Sequence, residues 1–165
     1  DYAAERWGDG NLTVVSPDSG RVRVADIWAE RLGAPLAIIH KRRDPDRPNQ
    51  VEAHELVGDV KGRDCLLVDD MIDTAGTIVA AAKALKANGA ARVIVAATHA
   101  VFSPPAVERL SADWVDAVVV TNTLPITPDK QFDKLVVLSI APLIAQAIQA
   151  VFSDDSVNKL FPGHA

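Results

Sequence analysis

Short apolar bursts without polar alternation, each followed by a helix-like pattern, constrain this chain more than any other feature. Leu12–Ser16, Leu36–His40, Leu66–Asp69, Val93–His99, Ala117–Thr121 and Val136–Ser139 read as strands. Val22–Leu32, Thr77–Asn88, Pro105–Ala112 and Ala141–Phe152 read as helices, with Gly33, Pro35 and Gly89 as stops and Pro142 as an opener. Strands rich in Val, Ile and Leu on successive positions are buried on both faces. Their alternation with helices predicts an α/β fold, a mostly parallel central sheet flanked by helices and joined by right-handed crossovers. Ligands in such sheets bind beyond the carboxyl ends of the strands. No internal repeat and no linker divides the chain, so residues 1–165 are expected to form one domain.

The bulk properties narrow the function. Hydrophobic residues make up 48% and charged residues 24%, as in ordinary globular proteins. With a net charge of -5 and a pI near 5.3, the chain has no general attraction to nucleic acid or anionic membrane. Any anion site must therefore be local. Cys65 is the sole cysteine. At the start of an apolar strand it reads as a buried reduced thiol, which fits a cytoplasmic location. No apolar run approaches the ~18 residues of a membrane span. The opening Asp1-Tyr2-Ala3-Ala4 is no signal peptide and lacks an initiator Met, which predicts that the numbering begins part-way through a larger protein.

The chemistry concentrates in Leu66–Thr77, where three aliphatic residues lead into Asp69, Asp70 and then Asp73. Adjacent carboxylates at a strand end can accept hydrogen bonds from the vicinal hydroxyls of a ribose, or hold Mg²⁺. Asp73, Thr74, Ala75, Gly76 and Thr77 then turn into a helix. Gly76 permits close backbone approach, and the free amides of the helix start, with the Thr74 and Thr77 hydroxyls, suit a phosphate. An acidic helix cap without a ligand would explain Asp73 and Thr74. It would not explain two further acids whose mutual repulsion needs a cation or hydroxyls to offset it. Val15–Gly20 is a second strand–loop–helix junction, in which Asp18 can reach a metal ion and the backbone can hold an anion. As a Pro-Asp-Ser-Gly sequence it is also an ordinary turn.

Lys41–Gln50 is polar, charged and twice interrupted by proline. It is expected as a mobile excursion or lid, with Val51–Val60 forming a strand pair that ends at Gly58-Asp59. A Lys/Arg run is usually a solvated surface, but this one leaves a strand end beside two anion loops. His99 reads as a core or strand-end histidine. Trp7, Trp28 and Trp114 read as core or interface packing rather than base stacking.

Val68-Asp69-Asp70-Met71-Ile72-Asp73-Thr74-Ala75-Gly76-Thr77 resembles the ribose-phosphate motif of the type I phosphoribosyltransferase fold. Two classes share that motif. Phosphoribosyltransferases consume 5-phosphoribosyl 1-diphosphate (PRPP), and ribose-phosphate diphosphokinases (PRPP synthetases) make it. Ile39-His40-Lys41-Arg42-Arg43 resembles the catalytic flexible loop of the synthetases, and Pro17-Asp18-Ser19-Gly20 their pyrophosphate loop. Gly58–Cys65, Thr98-His99, Val119–Thr123 and Ser156–Phe161 extend the similarity to most of the chain, as the second half of a two-half enzyme.

That resemblance implies transfer of diphosphate from Mg-ATP to the C1 hydroxyl of ribose 5-phosphate, giving PRPP and AMP. It implies Lys41 and Arg43 as catalytic cations, in a loop spanning 41–60. Asp69, Asp70, Asp73, Thr74, Ala75, Gly76, Thr77 and Arg43 would hold ribose 5-phosphate. Asp18, Ser19 and Gly20 would form the pyrophosphate loop, with Asp18 facing Mg²⁺. The implied partners are the protein's own N-terminal half, which would supply most of the ATP site, and like subunits in a hexamer. A phosphoribosyltransferase, or a non-catalytic synthetase-associated regulatory subunit, is the alternative. No hood for reading a base is visible in the chain, and the intact Lys41/Arg43 pair argues against a silent subunit.

Overall fold

The computed structural model describes residues 2–8, 10–42 and 53–160. Among them, seven strands form one sheet in the order β3-β2-β1-β4-β5-β6-β7. These are β1 Leu12–Ser16, β2 Leu36–Arg42, β3 Ala53–Val57, β4 Asp64–Ile72, β5 Arg92–Ala100, β6 Ala117–Thr121 and β7 Leu135–Leu138. All neighbours are parallel except β2 and β3. The chain starts at β1, steps outward to β2 and β3, and then crosses back to place β4 on the other side of β1. The strand order therefore reverses between β1 and β4, and such a reversal opens a crevice at the carboxyl ends.

Period-two alternation along each strand sends side chains to opposite faces. Val15, Leu67, Val95 and Val118 join one core with α3 (Gly76–Ala87) and α4 (Ala106–Ser111). Val14, Leu66, Ile94 and Val119 join a second core with α1 (Tyr2–Trp7) and α2 (Val22–Leu32). In α3 the buried residues are Ile78, Ala81, Ala82 and Leu85, the i, i+3, i+4, i+7 spacing of one helical face. Each buried large aliphatic contributes roughly 1.5–3 kcal/mol. Gly33 ends α2 in the left-handed region at φ 58°, where its missing Cβ avoids the usual steric cost. α5 (Ala141–Phe152) buries no residue, and Leu143, Ile144, Ile148, Val151 and Phe152 are exposed.

Several boundaries differ from the sequence reading. β4 extends to Ile72 because β5 also runs on, pairing Met71 with His99 and Ile72 with Ala100. α1 is an extra helix, too short for periodicity to reveal. It buries Ala3 and Trp7 on the second core. The 41–60 stretch expected as a flexible loop is partly regular. Lys41 and Arg42 continue β2, and Ala53–Val57 pair antiparallel with it in register Lys41↔His54. Residues 43–52, including Arg43, lie outside the described residues. Trp28 packs partly buried on the second core. Trp114 is exposed, with the Lys83 ammonium 5.5 Å above its ring, so it is a surface residue in a cation–π contact and not a core one.

Candidate functional site

Three neighbouring strands deliver their carboxyl ends to one edge of the sheet. β2 brings Lys41, β1 leads into Pro17–Gly20, and β4 carries Asp69 and Asp70. The two acids lie within β4, not at its last residue. By parity Asp69 follows Leu67 toward the α3 side, and Asp70 follows Val68 toward the α2 side.

The acidic pair is held from across the crevice. Arg21 Nε lies 3.3 Å from Asp69 Oδ1, and Arg21 Nη2 lies 2.8 Å from Asp70 Oδ1. The second contact lacks a hydrogen-bonding angle, so Asp70 Oδ1 is sequestered from solvent without an aligned donor. The Asp70 backbone N–H donates to Asp69 Oδ1 at 2.8 Å. Burial pushes the Asp69 carboxyl up to about 6, with the neighbouring Asp70 carboxyl adding to the rise and the Asp70 amide and Arg21 opposing it. Burial works against Asp70 as well. There the hydrogen bond with the Asp69 carboxyl, the Arg21 guanidinium and backbone donors win, and Asp70 sits below the ordinary carboxylate range. The pair thus holds one firmly ionised acid and one that titrates near neutrality.

Beyond β4 the chain makes a tight turn. Ala75, not Gly76, is the residue in the left-handed region, at φ 59°, and it is buried. A left-handed alanine costs about 1–2 kcal/mol relative to glycine's freedom there, and strain of this kind clusters at ligand sites. No side chain caps α3, and no acid lies in its first turn. The explanation of Asp73 or Thr74 as a simple helix cap is thereby removed. The leading amides of α3 remain directed outward with the positive end of the helix dipole, a setting suited to an anion. From α4, Arg109 Nη1 donates to the Thr74 carbonyl at 2.9 Å and so braces the turn. Asp73, Thr74, Gly76 and Thr77 are exposed around it.

The Asp18 loop is a self-bonded turn. The Gly20 N–H donates to Asp18 Oδ1 at 2.8 Å, and Ser16 Oγ donates to the Asp18 carbonyl at 2.7 Å. One Asp18 oxygen is thereby oriented and the other left for a ligand. Among the described residues no group of three or more His, Cys, Asp or Glu side chains converges on a point. That is compatible with Mg²⁺, which is usually held by one or two carboxylates together with substrate phosphates and water.

Other sequence-singled residues fall into place. His99 Nδ1 is 2.9 Å from Thr123 Oγ1, and Thr121 Oγ1 donates to the Thr98 carbonyl at 2.7 Å. His99 is therefore a hydrogen-bonded strand-end residue. Cys65 is fully buried and free, and burial, with Asp64 beside it, pushes its thiol up to about 12. Arg21 joins the site from the N-cap of α2, outside every motif in the sequence. Its signal was a cation at the N-terminus of a helix, the end at which the dipole disfavours positive charge. A cavity of about 880 Å³ lies elsewhere, over the second core between Trp7, Trp28, Leu66, Val119 and Leu138, and neither Arg21, Asp69, Asp70 nor the Asp18 loop lines it.

Residues 47–162 match the family model of the phosphoribosyl synthetase-associated domain, and the chain belongs to that family. It is 62% identical over 161 residues to a ribose-phosphate pyrophosphokinase of Streptomyces coelicolor, covering 98% of this chain and 50% of that protein. It is 58% identical over 165 residues to a Mycobacterium tuberculosis protein of the same name, covering 99% and 51%. The chain therefore spans about half the length of the curated relatives it matches. The crystal structure of phosphoribosylpyrophosphate synthetase from Mycobacterium smegmatis superposes with a TM-score of 0.84 at 55% identity, over 93% of this chain and 49% of that one. An adenine phosphoribosyltransferase superposes at 0.55 with 17% identity, over 72% of each chain. This second likeness shows the fold alone, the α/β architecture of type I phosphoribosyltransferases.

Proposed function

We propose that the protein carrying this chain transfers diphosphate from Mg-ATP to the C1 hydroxyl of ribose 5-phosphate, forming PRPP and AMP. The observation that carries this reading is the meeting of the Asp69–Asp70 pair with the uncapped start of α3 at the reversal of strand order. Asp69 and Asp70 accept hydrogen bonds from the pentose 2- and 3-hydroxyls. The amides of Gly76 and Thr77, the Thr74 and Thr77 hydroxyls and the turn from Asp73 through Ala75 hold the 5-phosphate.

The pentose so held presents its C1 hydroxyl toward the loop after β1. There Asp18, Ser19 and Gly20 bind the diphosphate. Lys41 and Arg43, on the segment leaving β2, offset the negative charge that develops on the transferring group. Asp18 would hold Mg²⁺, which when bound supplies neutralisation of phosphate charge. The rest of the ATP site falls to the remainder of the protein, since the chain matches about half the length of its relatives.

Association with like subunits, a hexamer by resemblance, is part of the same proposal. The exposed apolar residues of α5 support it, because contiguous apolar surface marks interaction sites. Phe152 is 85% exposed. A cytoplasmic setting accords with the single buried thiol. Among the described residues no helix is long and apolar enough to cross a membrane.

A coupled assay for AMP, with Mg-ATP and ribose 5-phosphate, tests the reaction on the full-length protein. AMP formation that falls sharply in Lys41→Ala supports the assignment, and unchanged turnover in that variant removes Lys41 from the chemistry. Release of pyrophosphate from PRPP with a purine or pyrimidine base, without AMP formation from ATP, would instead establish a phosphoribosyltransferase.

A further inference from the structure

We propose that Arg21 is an exchangeable cation of this site. It pairs with Asp69 and Asp70 while the pentose is absent, and moves to the phosphate chain when the pentose hydroxyls take over those carboxylates. The inference rests on the ribose-phosphate reading above and adds a residue and a sequence of contacts to it.

Four observations converge. Arg21 stands at the N-cap of α2, where a cation gains nothing from the helix and is disfavoured by its dipole, so its reason for being there lies elsewhere. Its guanidinium spans both carboxylates, yet imperfectly. The contact at 2.8 Å leaves Asp70 Oδ1 sequestered and without an aligned donor. The Asp70 side chain is 42% exposed overall, so it is this one oxygen that lacks a directed donor, and a sugar hydroxyl is such a donor.

The third observation is place. Arg21 directly follows the Asp18–Gly20 loop, its own amide turned to the Asp18 carbonyl at 3.4 Å. One side chain can therefore face the acids on β4 or the anion loop after β1, on either side of the same crevice. With 38% of its side chain exposed, Arg21 is not enclosed by packing and has solvent space beside it. The fourth is charge. Against Lys41 at the end of β2, the described edge carries four acids, Asp18, Asp69, Asp70 and Asp73, a balance that repels a phosphate chain. Arg109 is committed to the Thr74 carbonyl. Arg21 hides two of the negative charges before substrate arrives and supplies a positive one afterwards. Its fork of donors matches phosphate oxygens as well as carboxylates.

The experiment compares wild type, Arg21→Gln and Arg21→Lys in the full-length protein, with thermal melts as the folding control. Ribose 5-phosphate is titrated calorimetrically, and the KM for Mg-ATP is taken from AMP formation. The exchange predicts that Arg21→Gln binds ribose 5-phosphate as well as wild type or better, because no arginine competes for the carboxylates. It predicts that the KM for Mg-ATP rises roughly tenfold or more, with Arg21→Lys recovering part of the loss. Weaker ribose 5-phosphate binding in Arg21→Gln would overturn the exchange, since Arg21 would then be a fixed support of the acidic pair. An unchanged KM for Mg-ATP would overturn it as well. Failure of the wild type to bind ribose 5-phosphate defeats the underlying reading and the exchange together, and it is recognised before any substitution is made.

Discussion

Asp69 makes the site's pH dependence calculable. Its carboxyl is pushed up to about 6, chiefly by burial. It is therefore ~90% ionised at pH 7 and ~10% ionised at pH 5. Only the ionised form accepts hydrogen bonds from both vicinal hydroxyls. Lowering the pH from 7 to 5 should weaken ribose 5-phosphate binding about tenfold through Asp69 alone, or ~1.4 kcal/mol. The ligand's own phosphate has a second ionisation near ~6 and adds a slope of its own. Asp69→Asn separates the two, because the variant keeps the phosphate's titration and loses the carboxylate's. Calorimetric titrations at pH 7, 6 and 5 should show the wild type losing about ten times more affinity than Asp69→Asn. Parallel curves for the two proteins would refute the placement of the pentose hydroxyls on this pair.

The same shifts carry a sign for stability. The raised Asp69 carboxyl stabilises the fold fully below its unfolded value of ~3.9, and that contribution is lost as the pH rises through about 6. Asp70 is lowered, so its contribution is present above the unfolded value and lost as the pH falls through the folded one. Between about pH 4 and pH 6 only Asp69 of the pair changes its contribution, which falls as the pH rises, whereas that of Asp70 changes below ~3.9. Asp69→Asn should consequently make denaturant stability rise more steeply with pH in that window.

Gly58→Ala should destabilise by about 2–5 kcal/mol. The added Cβ would lie 2.7 Å from Ala37 Cβ and 2.8 Å from Ala37 Cα, at a backbone φ of +118°, so strain and overpacking combine. At roughly 2–4 °C per kcal/mol for a chain of this size, a melting point lowered by less than about 3 °C would contradict the close approach of β3's end to β2. Arg109→Ala should loosen the Thr74 turn and weaken ribose 5-phosphate binding by about fivefold, the equivalent of one ordinary hydrogen bond. The melting point should scarcely move, and unchanged affinity would show that the brace is dispensable. Cys65 should resist thiol reagents at pH 8 in the native protein and react only after unfolding, because its thiol is pushed up to about 12 and fully buried. Rapid native labelling would mean that β4 opens locally.

Local chemistry made much of this protein legible in advance. Val22–Leu32, Ala117–Thr121 and Ala141–Phe152 occupy the spans read from periodicity and from Gly and Pro punctuation, since a helix face or a buried strand is written in neighbouring residues. The acids of Leu66–Thr77 were visible for the same reason, as charge at the end of an aliphatic run. Tertiary structure decided the rest. β4 outruns its apolar stretch because β5 offers it a partner as far as Ala100. Ala75 accepts a left-handed backbone because the core on either side holds it there. Arg21 meets Asp69 and Asp70 only because β4 crosses back to lie beside β1. That adjacency is set by global packing between distant segments, and no window of sequence around either residue contains it.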